Sequence, residues 1–119
     1  YNTWPLMGSS YFPDDSQFIE FLNVNVFDNP SIVQFIHRNL AYLIGFYYLL
    51  MFYKIYRNKI FDLYKSINIL GFFIFLQIIL GIITVLYGAQ IYIASMHQIS
   101  SIFLVSSCVY FFFINTRIN

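Results

Sequence analysis

From residue 30 onward the chain is three long apolar stretches separated by short polar links. The first opens at Asp28-Asn29-Pro30. Asp28 or Asn29 suits a helix cap, and Pro30 suits the first helical position, where its missing N–H has no partner to lose. This stretch runs to about Tyr53. Lys54, Arg57, Lys59 and Lys65 mark a polar connection, a second stretch covers about 66–87, and a third covers about 94–114 after a short turn from Gly88 to Ile93. About 20 apolar residues cross a hydrocarbon core of about 30 Å. The pattern therefore predicts three transmembrane helices, at about 30–53, 66–87 and 94–114.

Residues 1–29 contain no such stretch. They hold four of the five acids, Asp14, Asp15, Glu20 and Asp28, and two of the three prolines. Asp15 or Ser16 can cap a short helix through about Asn23 with Phe18, Ile19 and Leu22 on its apolar side. The expectation is an extramembrane lid on the membrane surface, with Trp4 and Tyr11 at headgroup level. An irregular loop is the plainer alternative. The fold class is thus all-α integral membrane, one domain made of a lid (1–29) and a three-helix module (30–119).

Composition agrees. Hydrophobic residues make up 60% of the chain and charged ones 9%, against roughly 25% charge in a soluble domain. A net charge of +1 without a basic run excludes nucleic acid as a partner. The single cysteine, Cys108, excludes an internal disulfide and a Cys-based metal cluster, and its apolar setting predicts packing. No charged n-region or cleavage site marks a signal peptide, and the sequence reads as a piece of a longer protein.

Charge also predicts orientation. Lys54, Arg57, Lys59, Lys65 and Arg117 fall on one side of the three-span arrangement, and Arg38 alone on the other. By the positive-inside rule the lid and the second turn face outward, to the periplasm of a bacterium or the intermembrane space of a mitochondrion.

The two histidines, His37 and His97, fall within this frame. His37 lies seven residues beyond Pro30, about 10 Å down the first helix at 1.5 Å per residue. His97 enters the third span from the same side and reaches about the same depth. Ionisable side chains inside a bilayer are expensive and mark functional sites. Residues three or four apart share a helix face. One row is His37, Ala41 and Gly45; a second is Gln77, Gly81, Thr84 and Gly88; a third is His97, Ser101 and Cys108, with Ser100 and Ser107 beside it.

Two imidazoles at matched depth in an apolar bundle point to a metal carried by haem, with His37 and His97 as its two axial ligands. Two strong ligands leave no open coordination position, which favours electron transfer. Arg38 calls for an anionic partner: a haem propionate, or a lid acid such as Asp28. Gln98 either orients a ligand or faces the headgroups. A zinc site lacks its third and fourth ligands, and a proton relay lacks an intramembrane carboxylate. The plainer readings are packing histidines and small residues that mark helix contacts.

Several motifs add a family. Tyr1-Asn2-Thr3-Trp4-Pro5-Leu6-Met7-Gly8, Phe12-Pro13, Asn29, Val33-Gln34-Phe35, His37-Arg38 and Ala41-Tyr42 occur in order. Leu76-Gln77, Leu80-Gly81-Ile82, Thr84 and His97-Gln98 follow. Together they resemble the haem A synthase family over nearly the whole chain. The resemblance implies eight-span inner-membrane enzymes built of two similar four-helix halves, each with a histidine pair. These enzymes oxidise a methyl group of haem O to the formyl group of haem A for cytochrome oxidase. It also implies that this chain corresponds to the second half, with spans six to eight.

The family's first half carries a glutamate three residues before its His-Arg pair. Gln34 stands at that place here and cannot act as a base. That departure implies the half associated with a b-type haem, held by His37 and His97 with Arg38 beside them, and no catalytic residue in this chain. Haem O would then be the substrate of the whole enzyme, and the missing half or an equivalent chain would supply a fourth helix. Membrane lipid surrounds the module, and a homo-oligomer is among the arrangements open to it. The alternatives are a free-standing b-type electron-transfer subunit and a structural or assembly subunit of a respiratory complex.

Overall fold

Three long helices, α1 (Pro30–Arg57), α2 (Phe61–Leu86) and α3 (Ile91–Ile118), follow a 3₁₀ turn at Val26–Asp28. The computed structural model describes residues 1–17, 19 and 26–118. Most of the short helix expected before Asn23, Phe18 and Leu22 included, lies outside them. Among the described residues there is no strand, only an isolated bridge between Met7 and Ser10.

Each helix begins or ends for a local reason. Asn29 is the cap of α1: its side-chain oxygen accepts from Ser31 N at 3.0 Å and from Ile32 N at 3.4 Å, with Pro30 next. At the far end Lys59 takes a left-handed conformation (φ 53°), and Ile60 N donates to Ile55 O at 3.1 Å. The end of α2 uses the same device. Gly88 turns at φ 67°, and Ala89 N donates to Thr84 O at 2.7 Å.

Helices α1 and α3 run past the expected spans, α2 starts earlier than expected and ends at Leu86, and the polar connection at 54–65 shrinks to residues 58–60. Lys54 and Arg57 lie in the last turn of α1 and Asp62 in the first turn of α2, where their charges complement the helix dipoles. A 28-residue helix is about 42 Å long, more than the hydrocarbon core, so charged ends can remain helical outside it.

Helices α2 and α3 are long and apolar enough to cross a membrane. Phe72, Phe75, Ile102, Phe103, Val105 and Phe112 lie exposed along them, a surface suited to lipid. Helix α1 has the length, but Gln34, His37, Arg38, Asn39 and five tyrosines dilute its apolar character.

The buried core lies toward the cationic end: Ile55, Leu63, Ile67, Leu70 and Ile74, with Tyr48, Phe52, Tyr56, Leu104 and Phe111 around it. Gly71 lets α1 approach α2, because a Cβ there would fall 2.0 Å from Tyr48 Oη. The buried Ser66 and Ser107 turn their hydroxyls onto carbonyls of their own helix, and the buried Ser100 shares its hydroxyl between His97 O and the Gln77 amide oxygen. Small residues of this kind let helices pack closely.

Residues 1–17 follow an irregular path along the first half of α1. Tyr11 Oη donates to Asn39 Oδ1 at 2.6 Å, Trp4 Nε1 to Tyr42 Oη at 3.1 Å, and Ser31 Oγ to Asp15 Oδ2 at 2.8 Å. The segment also reaches the α2–α3 turn, where a Cβ on Gly88 would come within 3.3 Å of Asn2 Nδ2.

Candidate functional site

The site is a cleft of about 450 Å³ between α1, α2 and the first half of α3. It exists because facing positions are small: Ala41 on α1 and Gly81 on α2 leave room that Ile44, Ile74, Ile78 and Val85 wall with hydrocarbon. His37, Arg38, Gln77, Thr84 and His97 supply its polar groups, and Trp4 borders it from the N-terminal segment.

The structure brings His37 and His97 together. Their ring centroids are 6.2 Å apart, with an angle of 80° between the ring planes. Metal–imidazole bonds are about 2 Å long, and the centre of a five-membered ring with bonds of about 1.3 Å lies about 1.1 Å from its atoms. Two imidazoles sharing one metal therefore have centroids about 6 Å apart. The observed spacing fits, and the cleft beside the rings is apolar.

The two rings are held differently. His37 is exposed on the third turn of α1, facing the cleft. His97 is half-buried, and Gln77 Nε2 lies 3.2 Å from its carbonyl oxygen and 3.4 Å from its Nε2. Gly81 makes room for this ring: a Cβ there would sit 3.2 Å from His97 Cε1. His97 Nδ1 is buried without a hydrogen-bond partner among the described residues.

Arg38 is buried at 8% exposure, beside His37. Nη1 donates to Leu6 O at 3.2 Å and Nη2 to Thr3 O at 2.7 Å, so backbone carbonyls of the N-terminal segment hold the guanidinium. The expected rival partner, Asp28, does not take that place. Arg38 Nε remains buried without a partner among the described residues, a donor that an anionic group at the cleft could engage. Gln34 turns away from chemistry: its Nε2 donates to Tyr1 O at 2.9 Å and its Oε1 accepts from Tyr1 N at 3.1 Å.

On α3 the expected row is partly wrong. Ser100 and Ser107 face inward, Ser101 is half-buried, and Cys108 is exposed, so the cysteine is not packed inside this chain. Gln98 is exposed too. The residue that the pattern undervalues is Gln77, which periodicity alone assigns to a row with Gly81, Thr84 and Gly88. Its signal was present, since a primary amide amid Ile, Leu and Phe must find hydrogen-bond partners.

The family model described as "Cytochrome oxidase assembly protein" matches residues 1–109. The chain is 42% identical over 107 residues to "Heme A synthase" of Pelagibacter ubique, covering 90% of this chain and 31% of that protein. It is 40% identical over 111 residues to "Heme A synthase" of Wolbachia pipientis wMel, covering 93% and 30%. With the protein of that name from Flavobacterium johnsoniae it shares 36% over 116 residues, covering 92% and 33%. The chain thus spans about a third of the length of the curated relatives it matches, within their C-terminal half. No solved structure matches it.

Proposed function

The chain belongs to the cytochrome oxidase assembly protein family, and from that premise we propose that it is the b-type-haem-holding half of a haem A synthase. The observation that carries the reading is the approach of His37 and His97 to 6.2 Å beside an apolar cleft. They would hold one haem b, and Arg38, whose Nε has no partner among the described residues, would meet its anionic groups. A haem bound there would supply a one-electron couple.

The chain's own residues then have separable tasks. The aliphatic walls exclude water from the cleft. Arg38 ties the N-terminal segment over the histidine end through Thr3 and Leu6. Gln34 clasps the Tyr1 backbone and offers no base. Oxidation of the haem O methyl group to the formyl of haem A, for cytochrome oxidase, would therefore take place on the rest of the enzyme, and this chain alone would not complete it. The open side of the cleft would receive a fourth helix from that remainder or from an equivalent chain.

All three helices would span the bacterial cytoplasmic membrane or the mitochondrial inner membrane. Residues 1–29 would form the lid on the periplasmic or intermembrane-space side. The five cations gathered at the end opposite the histidines support this orientation.

The test is an absorption spectrum of the haem-reconstituted chain beside His37→Ala and His97→Ala. The wild type should give a low-spin two-imidazole spectrum, and each variant should lose it. Unchanged haem content in either variant would sink the assignment.

A further inference from the structure

Gln77 sits in the middle of α2, opposite the start of α3, and its amide engages two α3 residues. Its Nε2 lies 3.2 Å from His97 O and 3.4 Å from His97 Nε2, and its Oε1 accepts from the Ser100 hydroxyl. These contacts fix which way the amide points. A carbonyl oxygen can only accept, so the NH₂ end must face His97 O. One hydrogen serves that carbonyl, which leaves the other for the imidazole nitrogen 3.4 Å away.

An N–H directed at His97 Nε2 is favourable only where that nitrogen bears a lone pair, which puts the ring proton on Nδ1. This choice leaves a buried Nδ1–H without an acceptor among the described residues, a cost that the Gln77 contact has to outweigh. Gly81 allows the ring edge carrying Cε1 to rest against α2.

We propose that Gln77 is a positioning residue for His97: its amide, anchored by Ser100, selects the Nδ1–H tautomer and so keeps the Nε2 lone pair available to bind a metal. The 3.4 Å contact is long for a hydrogen bond, so a metal can displace it while the amide stays tied to the His97 carbonyl and Ser100. In the opposite tautomer Nε2 would carry a proton and would have to lose it before binding. The general device fixes the tautomer through the ring nitrogen that does not bind the metal, whereas the Gln77 amide acts on Nε2 itself. Here the tautomer would be set before the metal arrives. The inference rests on the haem reading for its purpose, but the tautomer itself can be observed without haem.

The experiment uses the chain with ¹⁵N-labelled histidine in lipid nanodiscs, first without haem. Two histidines give two sets of ring signals, and His37→Ala assigns those of His97. Wild type should show His97 as Nδ1–H. Gln77→Met, of similar length and without a donor, should give mixed tautomers and bind haem about 10–100-fold more weakly, as the loss of a supporting neighbour does elsewhere. Ser100→Ala should move both readouts the same way by less, and circular dichroism checks that helicity is kept. An Nε2–H ring in wild type overturns the proposal, and so does a Gln77→Met chain with wild-type tautomer and haem affinity. If the wild type takes up no haem at all, the functional reading falls, and the tautomer comparison alone decides the role of Gln77.

Discussion

The two ends of this bundle draw on the same apolar alphabet and use it in opposite ways. At the cationic end aromatic rings fill the space between α1 and α2: Phe52 stacks on Tyr56 at 4.4 Å and Tyr56 on Tyr64 at 4.2 Å, over the buried Leu63 and Ile67. At the histidine end, Ala41 and Gly81 stand where bulk would be needed, and a cleft of about 450 Å³ remains. Unfilled space of that size forfeits dispersion contacts along its lining. The difference teaches that the packed end holds the helices in place, while the other end leaves a space that this chain's own described side chains do not fill.

The comparison can be broken most forcefully at Ile67, which is fully buried at the packed end. Ile67→Ala should lower stability by about 2–5 kcal/mol, read from the midpoint of unfolding in mixed detergent micelles. Haem uptake should fall only as far as the fold does. A loss below about 1 kcal/mol would mean that the packed end does not carry the stability assigned to it.

Next in size is Arg38. Hydrogen bonds from a charged group contribute about 1.5–3 kcal/mol, and Arg38 makes two to the N-terminal segment. Arg38→Ala should free residues 1–17 from α1, seen as faster proteolysis and backbone amide exchange there, with Ile67 and its neighbours still protected. Exchange rising equally over the whole chain would contradict the separation of the two ends.

A third substitution reverses the logic of the first. Ala41→Phe would place a ring in the cleft, and overfilling a site typically works against it by about 1–3 kcal/mol. Directed against a ligand, that is about 5–150-fold in affinity. The expected result is a chain that unfolds at the wild-type midpoint yet binds haem at least about fivefold more weakly. Unaltered haem binding would place the ligand somewhere other than this cleft.

How much of this was legible in the sequence depends on which atoms do the work. Helix number, the Asn29-Pro30 start and the Gly88 turn follow from capping chemistry and apolar run length, and the structure has them. The shared depth of His37 and His97 followed from counting residues at 1.5 Å each from two helix starts, and the rings do meet. The hold on Arg38 was not legible, because Thr3 and Leu6 act through backbone carbonyls that every residue possesses. The rotation of α3 was not legible either. Its apolar residues lie on all sides, so its own pattern does not say whether Ser107 or Cys108 turns inward, and lipid gives no solvent contrast to decide it. That choice is made by the fit of α3 against α2.

The smallest expected effect concerns pH and the N-terminal segment alone. Asp15 accepts from Ser31 Oγ at 2.8 Å and from Tyr1 Oη at 2.8 Å, and these bonds, that from Ser31 foremost, hold its carboxyl below the ordinary value. Asp14 is lowered as well, chiefly by the Ser9 amide at 2.7 Å. A carboxyl whose pKa is depressed by folding contributes stability that is fully present above the unfolded value, about 3.9 for Asp. The contribution is lost as pH falls through the lower, folded value. Residues 1–17 should therefore loosen from α1 in acid below about pH 4 and be indifferent to pH across the neutral range. The one tryptophan reports on this directly, since Trp4 Nε1 is bonded to Tyr42 Oη at 3.1 Å. Its fluorescence should shift on acidification, and Asp15→Asn should flatten most of that shift. Asp62→Asn, at the opposite end of the bundle, should leave it unchanged. A shift centred near neutral pH instead would assign the docking of the segment to a group other than these carboxylates.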